Sequence, residues 1–116
     1  MVFERWDVVV ALFPFSDRPV GKPRPVAILS AGTFNRDHGL VVACMITTAS
    51  AGTWPSDHPL IDVEPTGLRQ PCVVRWKIMT LSSTLVARKI GELASADRNA
   101  LEEQLAGILP VAKDRN

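Results

Sequence analysis

Arginines beside hydroxyl groups near predicted strand ends are the residues most able to do chemistry in this sequence. Arg24 lies between Pro23 and Pro25, whose rings restrict its backbone at the start of a strand-like run. Thr47 and Thr48 end the next apolar run along the chain. A guanidinium group binds phosphate or carboxylate oxygens through a planar fork of N–H donors. These residue types favour a site for an anion.

Arg75 has a different setting, an apolar run that is typical of a buried strand. A guanidinium group there loses part of its hydration and requires an anionic partner. Two interpretations remain open from the residues alone. Arg75 forms an ion pair with Asp62 or Glu64 while Arg24 is solvated, or both arginines contribute to a ligand site.

Motifs of other site classes are missing from the sequence. It has no Gly-rich phosphate loop, His-Glu-x-x-His, Cys-x-x-Cys or Gly-x-Ser-x-Gly. His38 and His58 are isolated, each beside an Asp, and we interpret them as surface histidines in preference to a two-His metal site. The sequence therefore predicts no metal and no cofactor.

The composition indicates one folded domain over residues 1–116, with 47% apolar and 22% charged residues. Lys and Arg number 13 against 12 Asp and Glu, a net charge of +1. Residues 1–91 carry 10 basic and 7 acidic side chains, whereas residues 92–116 carry 3 and 5. Near-neutrality thus does not exclude a nucleic-acid ligand, but it predicts weak non-specific binding.

The N-terminal sequence and the two cysteines predict a cytoplasmic protein that does not contact a membrane. The first residues are charged where a secretory signal is apolar, and no apolar run approaches the roughly 18 residues of a membrane span. Cys44 and Cys72 lie inside apolar runs without metal-ligand spacing. We expect both to be buried free thiols.

β-Branched and aromatic runs bounded by Pro and Gly predict a mainly β chain. The predicted strands cover residues 6–13, 25–29, 40–48, 58–64, 72–78 and, more weakly, 85–90. Pro59 places the fourth strand at a sheet edge, and the proline-rich segment 15–23 is predicted to be a loop.

The chain end changes to helical periodicity, with apolar residues at Leu101, Leu105, Ile108 and Leu109. The pattern predicts one amphipathic helix from Ser95, as its N-cap, to Leu109. The expected fold class is therefore mainly β (α+β), a small barrel or strongly bent sheet with a C-terminal α-helix.

An ordered set of short motifs resembles the MazF/PemK family of toxin ribonucleases over about residues 5–109. The motifs run along the chain as Asp7-Val8-Val9-Val10, Lys22-Pro23-Arg24-Pro25-Val26, Phe34-Asn35-Arg36, Ile46-Thr47-Thr48, Gly67-Leu68, Val73-Val74-Arg75 and Lys77-Ile78. The resemblance implies a small SH3-like β-barrel that forms a homodimer and is the toxin of a type II toxin–antitoxin pair.

The same resemblance implies an endoribonuclease that cleaves single-stranded RNA at short sequences without a metal or cofactor, inhibited by a cognate antitoxin. The 2′-hydroxyl attacks the adjacent phosphorus and yields a 2′,3′-cyclic phosphate. By this resemblance Arg24, Thr47 and Arg75 are catalytic. Arg24 stabilises phosphate charge, Thr47 with its helper Thr48 holds the phosphate, and Arg75 acts as an acid or a phosphate clamp.

The sequence departs from the family pattern at the proton-transfer residue. Lys77 stands where the PemK branch carries an Asp, and residues 19–23 lack the Glu of the MazF branch. Asp17 is the nearest carboxylate to Arg24 along the chain and becomes the candidate, with a turn-forming role as its alternative. Because the family carboxylate is missing, one interpretation is that this protein is an inactive or less active member of the family.

Two tryptophans are candidates for stacking on RNA bases, as in other single-strand binders. Trp54 lies in the loop after Thr48, and two interpretations stay open for it: stacking on an RNA base, or no contact with RNA. Trp76, beside Arg75, fits the core or a dimer interface better. Two other functions compete with the nuclease: a gyrase-binding toxin of the same fold without chemistry, and a catalytically silent module that binds RNA or antitoxin.

Overall fold

Six β-strands form one antiparallel sheet in the computed structural model, which describes residues 2–13 and 22–111. The strands are β1 (Asp7–Phe13), β2 (Lys22–Ile28), β3 (Leu40–Thr48), β4 (His58–Pro59), β5 (Cys72–Ser82) and β6 (Val86–Glu92). The helices are α1 (Gly32–His38) and α2 (Ser95–Ile108), with 3₁₀ turns at Glu64–Thr66 and Ser83–Leu85.

The spatial order of the strands is β4-β5-β3-β2-β1-β6. The predicted mainly β, α+β class with a C-terminal helix is confirmed. The sheet is not closed into a barrel, because within the described residues β4 and β6 remain as its two edges. Pro59 lies in the edge strand β4, as predicted, and its missing N–H helps to limit that strand to two residues.

The core lies on both faces of the sheet, as the two-residue side-chain period of a strand requires. One face, the helix face, carries the cluster that contacts α2: Trp6, Val8, Ala27, Cys44, Ile46, Val74, Leu93 and Leu101. The other face, the second face, carries a separate cluster: Phe3, Val9, Ala11, Val26, Ile28, Val41, Ala43 and Leu81. Two buried faces explain why β3 is almost continuously apolar in sequence.

Several elements differ from the sequence prediction. Helix α1, which ends at Gly39 in the left-handed conformation with φ 63°, was not predicted. β2 begins at Lys22 rather than residue 25, since its prolines lie opposite Leu12 and Val10 of β1. The predicted strand 58–64 is reduced to two residues followed by a 3₁₀ turn.

The start of α2 also corrects the prediction. Ser95 is the first helical residue, and the N-cap is Ala94, which provides no side-chain cap. The helix ends at Ile108, one residue before the predicted end. Within the described residues, no helix has the length and apolar character needed to cross a membrane.

Both cysteines are buried free thiols, as predicted. Burial raises the pKa of Cys44 to about 12 and also raises the pKa of Cys72. A thiol with a raised pKa stays protonated at neutral pH and is a poor nucleophile. Neither cysteine is therefore a candidate for covalent catalysis.

The contact between the 3₁₀ turn at Glu64–Thr66 and β6 leaves no room for a side chain at Gly91. A Cβ there would overlap the carbonyl oxygen of Pro65 and the backbone of Thr66. We expect Gly91→Ala to lower the free energy of unfolding by about 1–3 kcal/mol, since backbone atoms must shift to accommodate the methyl group. Urea denaturation measures this change.

Gly107→Ala is the matched control, because no atom lies within 4 Å of its Cβ position, in α2. That substitution is expected to be neutral or stabilising, as Ala favours helix over Gly. Equal effects at the two glycines would contradict the close contact of the turn with β6.

Candidate active site

The strand register brings the three predicted catalytic residues onto neighbouring positions of adjacent strands. The pairing of β2 with β3 ends at Val26 and Met45, and Arg24 and Thr47 each lie two residues beyond this last pair along their own strands. On the other side of β3, Met45 pairs with Arg75 of β5. Arg24 and Thr47 thus each lie two residues along their strands from the row formed by Val26, Met45 and Arg75.

These residues also share one face of the sheet. Val26 and Met45 both belong to the second face, and residues two positions apart in a strand project to the same side. Arg24 and Thr47 therefore lie on the second face, and Arg75 joins them through its pairing with Met45. The predicted catalytic set is brought together by β2, β3 and β5.

Arg24 and Thr47 differ from Arg75 in their surroundings. Arg24 is exposed and Thr47 is half-buried. Within residues 2–13 and 22–111, neither side chain forms a hydrogen bond or an ion pair with another residue. An exposed guanidinium group and a neighbouring hydroxyl can both donate hydrogen bonds to an anionic ligand.

Arg75 is buried and tightly held by the loop that follows β3. Its Nε donates to Asp57 Oδ1 at 3.2 Å, and its Nη2 donates to Asp57 Oδ2 at 3.0 Å and to the Gly52 carbonyl at 3.2 Å. The side chains of Arg75 and Asp57 are 7% and 6% exposed. The ion pair predicted with Asp62 or Glu64 is wrong, because the loop after β3 supplies the carboxylate instead.

A tight turn at residues 54–57 places the Asp57 carboxylate on Arg75. The Asp57 N–H donates to the Trp54 carbonyl at 3.2 Å, and the Trp54 N–H donates to Asp57 Oδ2 at 3.0 Å. Pro55 followed by Ser56 at φ 66° is the pattern of a type II turn. The turn also sets the Trp54 ring over the Arg75 guanidinium, 4.8 Å from ring centroid to Cζ, with Trp54 44% exposed.

The structure does not bring the remaining predicted residues into this group. Thr48 lies on the helix face, opposite Cys72, and its Oγ1 is 3.2 Å from Ser50 Oγ. Asp17 lies outside the described residues. Trp76 packs against the helix-face core and donates from Nε1 to Gln104 Oε1 at 2.9 Å.

A buried carboxylate that the sequence analysis missed lies beside the loop. Asp97 of α2 is fully buried, and its oxygens accept hydrogen bonds from the N–H groups of Ile61 at 2.8 Å and Asp62 at 3.1 Å. His58 Nε2 lies 2.7 Å from Asp97 Oδ1, and its side chain is only 11% exposed. The interpretation of His58 as a surface histidine is therefore wrong. The sequence signal was an Asp in the first turn of a predicted helix, which suggested only a local role.

No metal centre is evident in the described part of the chain, where no group of three His, Cys, Asp or Glu residues could hold an ion. His38 contacts the Phe34 ring, with 4.5 Å between centroids, and lies at the end of α1, away from His58.

The Asp57–Arg75 pair makes stability depend on acid pH. Hydrogen bonding from Arg75 lowers the pKa of Asp57 below its ordinary value of 3.8, against the opposing effect of burial. A carboxyl group whose pKa is lower in the folded protein than in the unfolded protein stabilises the fold. This contribution is complete at a pH above the pKa of the unfolded state, and it is lost as the pH falls through the pKa of the folded state. We expect this contribution to be constant above about pH 5 and to decline below about pH 4.

Urea unfolding of the wild type and Asp57→Asn between pH 2.5 and 7 measures this dependence. The difference in free energy of unfolding should be largest at neutral pH and shrink on acidification. A difference that grows below pH 4 would contradict the assigned pair.

The family follows from a comparison with known sequences. A family sequence model described as PemK-like, MazF-like toxin of type II toxin-antitoxin system matches residues 4–109. The chain belongs to this PemK/MazF toxin family. The resemblance noted in the sequence is thereby confirmed, and membership is consistent with a toxin. No curated protein matches the chain.

Solved structures of PemK/MazF-family toxins share the fold. The MazE–MazF crystal structure from Deinococcus radiodurans matches with a TM-score of 0.76 and 20% identity, covering 97% of this chain and 100% of that one. An endoribonuclease in complex with its cognate antitoxin, from a mycobacterial species, gives 0.72 and 23%, covering 97% and 99%. The Mycobacterium tuberculosis toxin MazF-mt6 gives 0.68 and 27%, covering 92% and 99%.

Proposed function

We propose that this PemK/MazF-family protein is a toxin that cleaves single-stranded RNA at short sequences without a metal ion. The single observation that supports the proposal is that Arg24, Thr47 and Arg75 belong to the same face of three neighbouring strands, near the pair of Val26 with Met45. A structural neighbour is an endoribonuclease in complex with its antitoxin, which supports the same activity and partner class.

The proposed reaction is an in-line attack of the RNA 2′-oxygen on the adjacent phosphorus. The 2′-hydroxyl gives its proton to a base as the bond between the 2′-oxygen and phosphorus forms, and the 5′-oxygen takes up a proton as its bond to phosphorus breaks. The products are a 2′,3′-cyclic phosphate and a 5′-hydroxyl. The negative charge increases on the phosphoryl oxygens in the transition state, so fixed hydrogen-bond donors around them accelerate the step.

Arg24 and Thr47 are the proposed donors to those oxygens. Arg24 is exposed and carries a permanent positive charge, because a guanidinium pKa lies above about 12. For the same reason Arg24 is a poor general base, and its proposed role is electrostatic. Thr47 contributes a hydroxyl on the opposite strand that donates to the same phosphate.

The proton-transfer residue is the remaining part of the proposed mechanism. Asp57 fits this role poorly, because its pairing with Arg75 lowers its pKa and keeps the carboxylate ionised at neutral pH. Asp17 stays the proposed candidate. Trp54, exposed beside Arg75, is the proposed stacking surface for an RNA base. Thr48 has no place at the proposed phosphate site, because it lies on the other face of the sheet and its hydroxyl is next to Ser50.

The proposed partners are a cognate antitoxin and a second copy of the chain. An antitoxin segment with acidic side chains would cover the arginine site and exclude RNA, a recognition mode common for disordered acidic segments. A two-fold homodimer is the commonest assembly of such small domains. We propose a cytoplasmic location, where RNA is available.

The test is cleavage of a mixed-sequence single-stranded RNA by the purified protein in EDTA, with both new ends mapped. We expect cyclic-phosphate 3′ ends and 5′-hydroxyl ends at a limited set of sequences. Intact RNA, together with growth arrest that persists in Arg24→Ala, would instead support a gyrase-binding toxin. Intact RNA without growth arrest, but with antitoxin binding, would support a silent relative.

A further inference from the structure

The carboxylate that contacts Arg75 comes from an unexpected place in the chain. Lys77 stands two residues after Arg75 along β5, where the resembling PemK branch carries an Asp. In this protein the carboxylate that pairs with Arg75 is Asp57, from the loop before β4. We propose that Asp57 is a positioning residue that fixes the Arg75 guanidinium for contact with the RNA phosphate. This inference rests on the proposed nuclease function.

The hydrogen bonds of Arg75 leave one edge of its guanidinium available. Nε and Nη2 donate to Asp57, and Nη2 also donates to the Gly52 carbonyl. Nη1 donates to no residue within the described part of the chain. No side-chain nitrogen there is both completely enclosed and without a partner, so Nη1 keeps part of the 7% exposure of the Arg75 side chain. Two N–H donors of Nη1 therefore remain for a ligand oxygen.

The position of Arg75 in the sheet fits the rest of the site. Asp57 holds Arg75 from the β4 side of β5, since His58 of β4 pairs with Val74. On its other side Arg75 pairs with Met45 of β3, whose face of the sheet also carries Arg24 and Thr47 by strand alternation. The proposed phosphate contact therefore uses donors from one face of three neighbouring strands, β2, β3 and β5.

The Asp57 side chain is itself fixed by hydrogen bonds and by burial. Its Oδ2 accepts from the Trp54 N–H as well as from Arg75, and its side chain is 6% exposed. The Trp54 ring covers the guanidinium from one side. An arginine fixed in this way needs no reorganisation when charge develops on the phosphate, which is the condition for efficient electrostatic catalysis.

The opposite role for Asp57 makes a different prediction. The Asp57 carboxylate could compete with the RNA phosphate for the Arg75 guanidinium, and removing the carboxylate would then increase the rate of cleavage. The positioning role predicts that its removal decreases cleavage, because the guanidinium loses its orientation. The direction of the change in kcat therefore distinguishes the two.

The experiment measures kcat and KM for cleavage of one defined RNA by wild type, Asp57→Asn, Arg75→Gln and the double variant. We expect Asp57→Asn to lower kcat about 10–100-fold with KM changed less than about threefold. In the Arg75→Gln background the same substitution should cause no further loss, because Asp57 acts through Arg75. Asp62→Asn, an exposed carboxylate at the same sheet edge, is the control and should keep wild-type kcat.

Each outcome decides the proposal. Wild-type or higher kcat in Asp57→Asn, or a full additional loss in the Arg75→Gln background, would overturn the positioning role while the nuclease function stands. No cleavage by the wild type would overturn both. Thermal melting checks folding, and if Asp57→Asn does not fold, Asp57→Glu decides. It keeps the charge, displaces it by one methylene, and should show the same loss of kcat.

Discussion

Arg24→Ala is expected to lower the rate of RNA cleavage about 10²–10³-fold, the effect of removing one donor to a developing oxyanion. The fold should be unaffected, because Arg24 is exposed and forms no hydrogen bond or ion pair within residues 2–13 and 22–111. Single-turnover cleavage and thermal melting, measured on the same preparation, separate the two effects.

Arg88→Ala is the matched control for this variant. Arg88 is another exposed arginine on a strand, in the edge strand β6 rather than in β2. Its removal should change cleavage less than about threefold, since Arg88 pairs with Val10, which lies on the opposite face of the sheet from Ala11 and its partner Arg24. Similar losses in both variants would show that Arg24 contributes only general positive charge, and would contradict its proposed contact with the phosphate.

Asp97→Ala is expected to lower the free energy of unfolding by about 3–5 kcal/mol, the largest stability effect that we predict. Asp97 is fully buried and connects α2 to the segment after β4, where it accepts from Ile61, Asp62 and His58. Its loss leaves the half-buried His58 and two part-buried backbone N–H groups without their acceptor, and it empties the volume that a fully buried side chain occupied. Urea denaturation at neutral pH measures the change.

Glu103→Ala on the same helix is the control. Glu103 is exposed on α2, and substitutions of this kind stay within about 0.5 kcal/mol. A loss below about 1 kcal/mol in Asp97→Ala would mean that water replaces the carboxylate, and that the contact of α2 with residues 58–62 contributes little.

The residues of the proposed site were selected from the sequence, and their catalytic roles stay predictions. Arg24 between two prolines and Thr47 at a strand end were selected from their local context alone. The strand assignments around them were largely correct, because β-branched runs and proline positions are local signals. The family resemblance followed from the order of such segments and is confirmed over residues 4–109.

The sequence did not predict which residues pair with the charged side chains. One of the two interpretations left open for Arg75 paired it with Asp62 or Glu64, whereas in the structure it pairs with Asp57. The sequence carries no signal for the side chain that the turn at residues 54–57 contacts. His58 was interpreted as a surface residue for the same reason, since its partner, Asp97, lies 39 residues away.

The sequence by itself determined the strands, the terminal helix, the family and the residue types of the proposed site, because periodicity and propensity act over a few neighbouring residues. Only the tertiary structure decided that Thr47, rather than Thr48, shares a face with Arg24, and that Asp57 holds Arg75. These contacts depend on the register between strands and on the path of a loop. Both are set by packing over long sequence separations, where local preferences carry no information.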